Sequence, residues 1–581
     1  MEENKTNSKY YSIPVLGGVS TEITDYKALL LDKNVSPDGK NVLYSEEVKI
    51  DKVHGKDFYP ELDKSNAQVY DGLDYRHWDT WNEGKFNHVF FKTNSEKVKG
   101  GMDIMRGERF DSPQKPFGGD EDYIWSPDSK SIYYVCKKHA GTAYAISTNT
   151  DIYKYDLTNG LTTNITESNL GYDTRPTFSP DGMLTWLQMK RDGYEADKND
   201  LIVSFKDQKI NLTAAWDGSV DDYLWSKDSK KIYFTAAVDG TKQLFVVNFT
   251  GLTKIAVSVV QVTNGDFDVN DLVGFSGNSI VVTRGDMNHA SELFSFELKK
   301  KTWTQLSNVN TSIFNSLALS KTERRYVTTT DGKKMLVWVI LPPNFDATKK
   351  YPTLLYCQGG PQSPLTQFYS FRWNFQLMAA NGYIIVAPNR RGMQGHGVEW
   401  NEQISKDWGG QVMKDYLSAI DDVAKESYVD KTRLGCVGAS YGGYSAFYLA
   451  GIHNNRFKTF IAHDGVFNTQ SMFGTTEEVF FNNWDFGGAY WETDNEIAQK
   501  TYTVFNPANH VEKWNAPILI IQGGLDFRVP IGQSQEAFQA AQLRGIKSRF
   551  LYFPDENHWV LKPQNAQVWQ REFYKWLKET L

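Results

Sequence analysis

Cysteine is scarce: Cys136, Cys357 and Cys436 are the only three in 581 residues. Their long spacings match neither a zinc site nor a disulfide framework, so buried thiols are expected, with no metal or other cofactor. Long apolar runs are missing as well. No stretch approaches the ~20 residues that span a bilayer, and the opening MEENKTNSKYYSIPVLGG lacks the apolar centre of an export signal. The chain is therefore expected to be cytoplasmic by default, and periplasmic if upstream sequence carrying a signal is missing. Positive charge is also short. With 63 Lys and Arg against 70 Asp and Glu, the formal net charge of -7 offers no basic footprint to nucleic acid or an anionic membrane. Neither is expected as a partner, and homodimerisation is left open.

Apolar residues make up 40% of the chain and aromatic ones 14%, enough to offset the ordering entropy of a folded chain. One core does not serve this length, so two domains are expected, 1–325 and 326–581. The first reads as short alternating strands broken by turns. A tetrad recurs in it as Ser36-Pro37-Asp38-Gly39, Ser126-Pro127-Asp128-Ser129, Ser179-Pro180-Asp181-Gly182 and the decayed Ser226-Lys227-Asp228-Ser229, with an echo at Phe275-Ser276-Gly277-Asn278. Proline presets φ at the second turn position and Asp or Gly tolerates the tight return, so each tetrad can join neighbouring strands. The serines recur about every 50 residues, the period of a four-stranded blade; the first interval is nearly double and holds two units, or one plus an insertion. An all-β propeller is expected, seven-bladed in the full protein and incomplete at its N-terminus here. Hairpins of a β-sandwich are the alternative.

From residue 326 apolar strands alternate with helical stretches, the strands being Pro352 to Cys357, Tyr383 to Ala387, Leu434 to Gly438, Pro517 to Gln522 and Arg549 to Phe553. Segments such as Ile518-Leu519-Ile520-Ile521 are apolar on both faces, as parallel strands covered by helices must be. Within this α/β pattern, Gly438-Ala439-Ser440-Tyr441-Gly442-Gly443 stands between a strand and a helical run, the context of a nucleophile elbow and hence of an α/β-hydrolase domain. A hydroxyl attacks well only when a base takes its proton, so Ser440 calls for a histidine and the histidine for a carboxylate. His558 and Asp526 supply them in the hydrolase order Ser, Asp, His, on loops beyond strand ends. His463 is the rival base; Asp555 and Glu556 are rival acids. The oxyanion needs two N–H donors, one from Tyr441 and one from the loop Gln358-Gly359-Gly360-Pro361, which otherwise reads as a plain turn.

With the repeat before them, GASYGGYSA, QGGLDFRVP and DENHW resemble the prolyl oligopeptidase family of serine peptidases over nearly the whole chain. The QGGP loop, NRRGMQGHG (Asn389 to Gly397), YRHWDTW (Tyr75 to Trp81) and RDGYEADK (Arg191 to Lys198) look most like its acylaminoacyl-peptidase branch, in particular bacterial enzymes of the dipeptidyl-peptidase V type. The resemblance implies Ser440, Asp526 and His558 as a triad and a propeller that restricts access to short peptides. Relatives often carry His or Tyr where Gln358 stands, so the Gly360 N–H becomes the implied second oxyanion donor. It also implies that Glu195 holds the substrate's free α-amine, because a buried ammonium needs a carboxylate; a plain surface charge at Glu195 or Asp197 is the alternative. Phe480, Phe481 and Trp484 are candidates for an apolar specificity pocket or for the core, and Arg528 for a substrate carbonyl or a neighbouring acid. The expected activity is release of N-terminal dipeptides with a small or apolar penultimate residue, through an acyl-enzyme. An acylaminoacyl peptidase or oligopeptidase of the same family, an esterase, and a binding propeller with an inactive hydrolase domain are the alternatives.

Overall fold

The computed structural model describes residues 10–23, 34–94, 100–206, 208–251 and 258–581. Residues 1–9, part of the stretch weighed as an export signal, lie outside them. At Ser36, Ser126, Ser179 and Ser226 the hydroxyl donates to the Asp two positions on and accepts the N–H that opens the next strand. At Ser126 these distances are 2.6 and 2.9 Å. Turn groups that would otherwise lack partners are thereby satisfied.

Four such turns, counting the echo at Ser276, join the first and second strands of four consecutive four-stranded antiparallel sheets, each a meander in chain order. They begin at Tyr123–Trp125, Asp173–Phe178, Asp222–Trp225 and Asp268–Ser276. A three-stranded sheet of Asn41–Lys49, Lys85–Thr93 and Met102–Asp103 precedes them, headed by the Ser36 turn. The long first interval is therefore one unit plus an insertion, which carries the small hairpin Arg76–His77 and Thr80–Trp81. The sheets pack in series, not as one sandwich. Alternate residues along a strand face opposite neighbours: Ile232 and Phe234 pack toward the preceding sheet, and Tyr233 toward the following one. Ser129 Oγ accepts the Asp38 N–H at 3.0 Å and Ser229 Oγ that of Asp181 at 3.2 Å, so the turns also latch neighbouring sheets.

The α/β domain is built on eight strands: β1 (Lys321–Thr328), β2 (Lys334–Leu341), β3 (Tyr351–Cys357), β4 (Ile384–Pro388), β5 (Val429–Ala439), β6 (Thr459–His463), β7 (Ile518–Gly523) and β8 (Ser548–Phe553). Their spatial order is β1-β2-β4-β3-β5-β6-β7-β8, parallel from β4 onward. The 325/326 division expected from the sequence falls inside β1. Along β2, Val337, Val339 and Leu341 enter the core on one face, and Leu336, Trp338 and Ile340 that on the other. Helices Gln411–Val423, Tyr441–Ile452 and Gly532–Leu543 cover the first face; Phe375–Ala380 and Pro563–Thr580 cover the second. All three cysteines are free and buried. Among the described residues no helix is long and apolar enough to cross a membrane. The carboxyl ends of β3, β5, β6, β7 and β8 open on one side, where an open α/β sheet places its site.

Candidate active site

β5 ends at Ala439 and the next helix starts at Tyr441, so Ser440 must turn the chain alone. It does so at φ 58 and ψ -121, a backbone conformation that costs about 1–3 kcal/mol in a non-glycine residue. Its neighbours must be small. A Cβ on Gly438 would lie 2.5 Å from the Gly442 carbonyl oxygen, and one on Gly442 would lie 2.0 Å from that of Cys357. The Ser440 N–H is held twice, by the His463 carbonyl at 3.0 Å and by Asp464 Oδ1 at 2.7 Å.

On the loop after β8, His558 pairs through Nδ1 with Asp526 Oδ2 at 2.7 Å, on the loop after β7. Asp526 is itself held by the Val529 N–H at 2.9 Å and Gln522 Nε2 at 3.2 Å. Burial disfavours the imidazolium, but the charges of Asp464 and Asp526 and the Asp526 hydrogen bond outweigh it, so the His558 pKa is raised above 6.5. The rival acids are engaged elsewhere: Asp555 pairs with Lys562, and Glu556 accepts the N–H groups of Leu561 and Lys562. His463 ends β6 with its ring toward Trp569.

The Gln358–Pro361 loop presses on the serine, since a Cβ on Gly359 would stand 3.4 Å from that of Ser440. Gly360 has φ +118, open to glycine and rarely to other residues. Arg390, fully buried, clamps this loop: it donates to the carbonyls of Gln358 at 3.0 Å and Pro361 at 2.7 Å, and to Tyr416 Oη at 2.9 Å. The sequence marks Arg390 only as part of NRRG; its clamp was not foreseen. The Tyr441 N–H belongs to the first turn of its helix, where backbone donors lack partners within the helix.

Between the two domains lies a cavity of about 480 Å³ lined by Glu195, Glu477, Glu478, Phe480 and Arg528 among others. Arg528 bonds Glu477 Oε1 at 3.3 Å and forms an ion pair with Glu478, and His77 Nδ1 meets Glu477 Oε2 at 2.6 Å. Burial pushes the Glu195 and Glu478 carboxyls up. At Glu477 the same penalty is outweighed by His77 and Arg528, which hold the carboxyl below its ordinary value. Glu195 makes no hydrogen bond or ion pair among the described residues, whereas Asp197 is bound to Arg191 and to the backbone of its own loop. Glu477 and Glu478 were not foreseen, and nothing local in TTEEVFF sets them apart from surface acids. The three aromatic candidates part company: Phe480 lines the cavity, Phe481 is buried against Trp408, and Trp484 stacks on Tyr194 at 4.6 Å where the domains meet.

Residues 369–581 match the model of the prolyl oligopeptidase family. The chain is 46% identical over 551 residues to dipeptidyl-peptidase 5 of Porphyromonas gingivalis, covering 94% of this chain and 79% of that protein. It is 32% identical to dipeptidyl-peptidase 5 of Schizosaccharomyces pombe, covering 88% and 75%. Among solved structures, acylaminoacyl peptidase of Pyrococcus horikoshii shares the fold with TM-score 0.75 at 18% identity, covering 94% of this chain and 80% of that one. Dipeptidyl peptidase 4 of Porphyromonas gingivalis gives 0.64 at 15%, covering 94% and 74%. On this evidence of sequence and fold together, the chain belongs to the prolyl oligopeptidase family and is a serine-type peptidase.

Proposed function

We propose that the chain removes dipeptides from the free amino end of short peptides, with Ser440 as nucleophile, His558 as base and Asp526 as the acid that orients it. Ser440 Oγ attacks the carbonyl of the second residue while His558 Nε2 takes its proton. The N–H groups of Tyr441 and Gly360 receive the oxyanion. The imidazolium then protonates the departing amine, and water releases the dipeptide from the acyl-enzyme by the reverse proton path. The serial sheets form a propeller, and this screens out large substrates.

The observation that carries the dipeptidyl reading is Glu195, a desolvated carboxyl with no hydrogen bond or ion pair among the described residues, in the interdomain cavity beside Glu477, Glu478 and Arg528. Glu477 is answered by Arg528 and His77 and Glu478 by Arg528, so Glu195 is the carboxyl left for a further cation, and a substrate ammonium supplies it. An acylated amino end brings no charge, so an acylaminoacyl peptidase would leave Glu195 unanswered. Phe480 contributes apolar surface to the same cavity, in keeping with small or apolar side chains near the cleaved bond. The names of the relatives support the same activity. The test is a pair of fluorogenic dipeptides, one with a free amine and one N-acylated, offered to the parent enzyme, Ser440→Ala and Glu195→Gln. Cleavage of the free-amine substrate alone, lost in Ser440→Ala and with KM raised in Glu195→Gln, is expected; preference for the acylated twin would reject the assignment.

A further inference from the structure

β6 delivers one more carboxylate to the serine and histidine than the proposed mechanism uses. Asp464 follows His463 with φ 41 and is 1% exposed. Its Oδ1 accepts the Ser440 N–H at 2.7 Å. Its Oδ2 is buried without a hydrogen-bond partner and lies 3.6 Å from His558 Nδ1. That nitrogen already meets Asp526 Oδ2 at 2.7 Å, so it stands between two carboxylates delivered by different strands. A buried carboxylate oxygen left unpaired is costly. Here it lies between His463 Nε2, at 3.3 Å, and His558, the ring that gains a full positive charge during the reaction.

We propose that Asp464 is a second positioning carboxylate for His558, adding its charge to the imidazolium and taking over the Nδ1–H when Asp526 cannot accept it. This rests on the triad assignment above. As the bond from Ser440 Oγ to the substrate carbon forms, the hydroxyl proton moves to Nε2 and the carbonyl electron pair to oxygen. The Nδ1 proton stays on the ring throughout, and Asp464 neither gains nor loses a proton. The other charged and titratable groups facing this pair are Arg372, whose Nη1 donates to the His558 carbonyl at 3.2 Å, His463, whose Nε2 is 3.3 Å from Asp464 Oδ2, and Arg528. Arg528 favours a neutral ring, and Asp464 and Asp526 oppose it. Burial raises the Asp464 carboxyl to about 6, so it is ionised in neutral solution.

The test measures kcat/KM against pH for Asp464→Asn, Asp526→Asn and the double variant on a free-amine dipeptide substrate. Asparagine still offers an oxygen to the Ser440 N–H, so the elbow is retained. Asp464→Asn is expected to cost at least about 10-fold more in the Asp526→Asn background than in the parent enzyme, a non-additivity that marks groups sharing one role. In Asp464→Asn the acid limb of the profile is expected to move to lower pH, because one of the charges that raises the His558 pKa is gone; a merely structural residue would not move it. A cost in the Asp526→Asn background no larger than in the parent enzyme, or an unmoved acid limb, would overturn the proposal. If variants at Asp464 fail to fold, Asp526→Asn is compared with His558→Ala in otherwise unaltered chains, and equal inactivity overturns it. Full activity in His558→Ala or Ser440→Ala would instead sink the triad assignment, whatever Asp464 does.

Discussion

Trp78, which belongs to the all-β domain, lies edge-on to the imidazole of His558 with ring centroids 5.8 Å apart. The hairpin around it grips the loops of the other domain at several points. The Trp78 carbonyl accepts the Phe527 N–H at 3.1 Å, Asp79 Oδ2 accepts from Asn557 Nδ2 at 2.8 Å, and Arg76 donates to the Thr475 carbonyl. Phe527 and Asn557 adjoin Asp526 and His558 in sequence, so both loops are held from outside their own domain. Trp78 itself has φ 55, a conformation that persists only where its surroundings impose it.

Removing that support should loosen the base more than the substrate. Trp78→Ala is expected to lower kcat by about 10-fold with a smaller change in KM, since small misplacements of a catalytic group are costly. Steady-state kinetics beside a thermal melt check this, and an unchanged kcat in a folded variant would refute it.

The raised His558 pKa makes a pH prediction. The base acts only when neutral, and a pKa above 6.5 keeps it protonated to higher pH than an ordinary histidine. The acid limb of kcat/KM should therefore be centred above 6.5. A limb centred below 6 would show that burial outweighs the two carboxylates.

Arg528 is the one guanidinium shared by Glu477 and Glu478. Arg528→Met is expected to destabilise the fold by about 3–5 kcal/mol at neutral pH, because it strands buried carboxylates. Glu477 has a depressed pKa, so its share of stability is present above its unfolded value near 4.5 and is lost as pH falls through the lower folded value. The gap in melting temperature between parent and variant should accordingly narrow on acidification below that range; a constant gap would mean that Arg528 acts through packing on Trp78.

Arg390 clamps the Gly359–Gly360 loop by a fork of donors that lysine cannot reproduce. Arg390→Lys keeps the charge and is expected to lower kcat by about 10- to 100-fold, the range for a weakened oxyanion donor. Equal losses for Arg390→Lys on kcat and on binding of a ground-state product analogue would point instead to a collapsed site.

Much of this protein is legible without coordinates because it is written in local patterns. The recurring serine-headed turn, Ser-Pro-Asp in three of its copies, marks successive sheets, since turn chemistry acts over four residues. The double-sided apolar runs mark the parallel strands, and the glycines flanking Ser440 mark the elbow, because strand alternation and backbone sterics are nearest-neighbour effects. Chain order then singles out Asp526 and His558, which the structure brings to 2.7 Å.

What composition and spacing do not contain is which distant loops meet. Asp464 beside His558, Glu477 and Glu478 opposite Glu195, the Arg390 clamp and the Trp78 hairpin all depend on the docking of segments far apart in the chain. Phe480 and Phe481 are neighbours of identical chemistry, yet one lines the cavity and the other the core. By itself the sequence determined the elements, the elbow and the candidate nucleophile; tertiary structure alone decided the surroundings that tune them, because burial and charge pairing are properties of space and not of sequence separation.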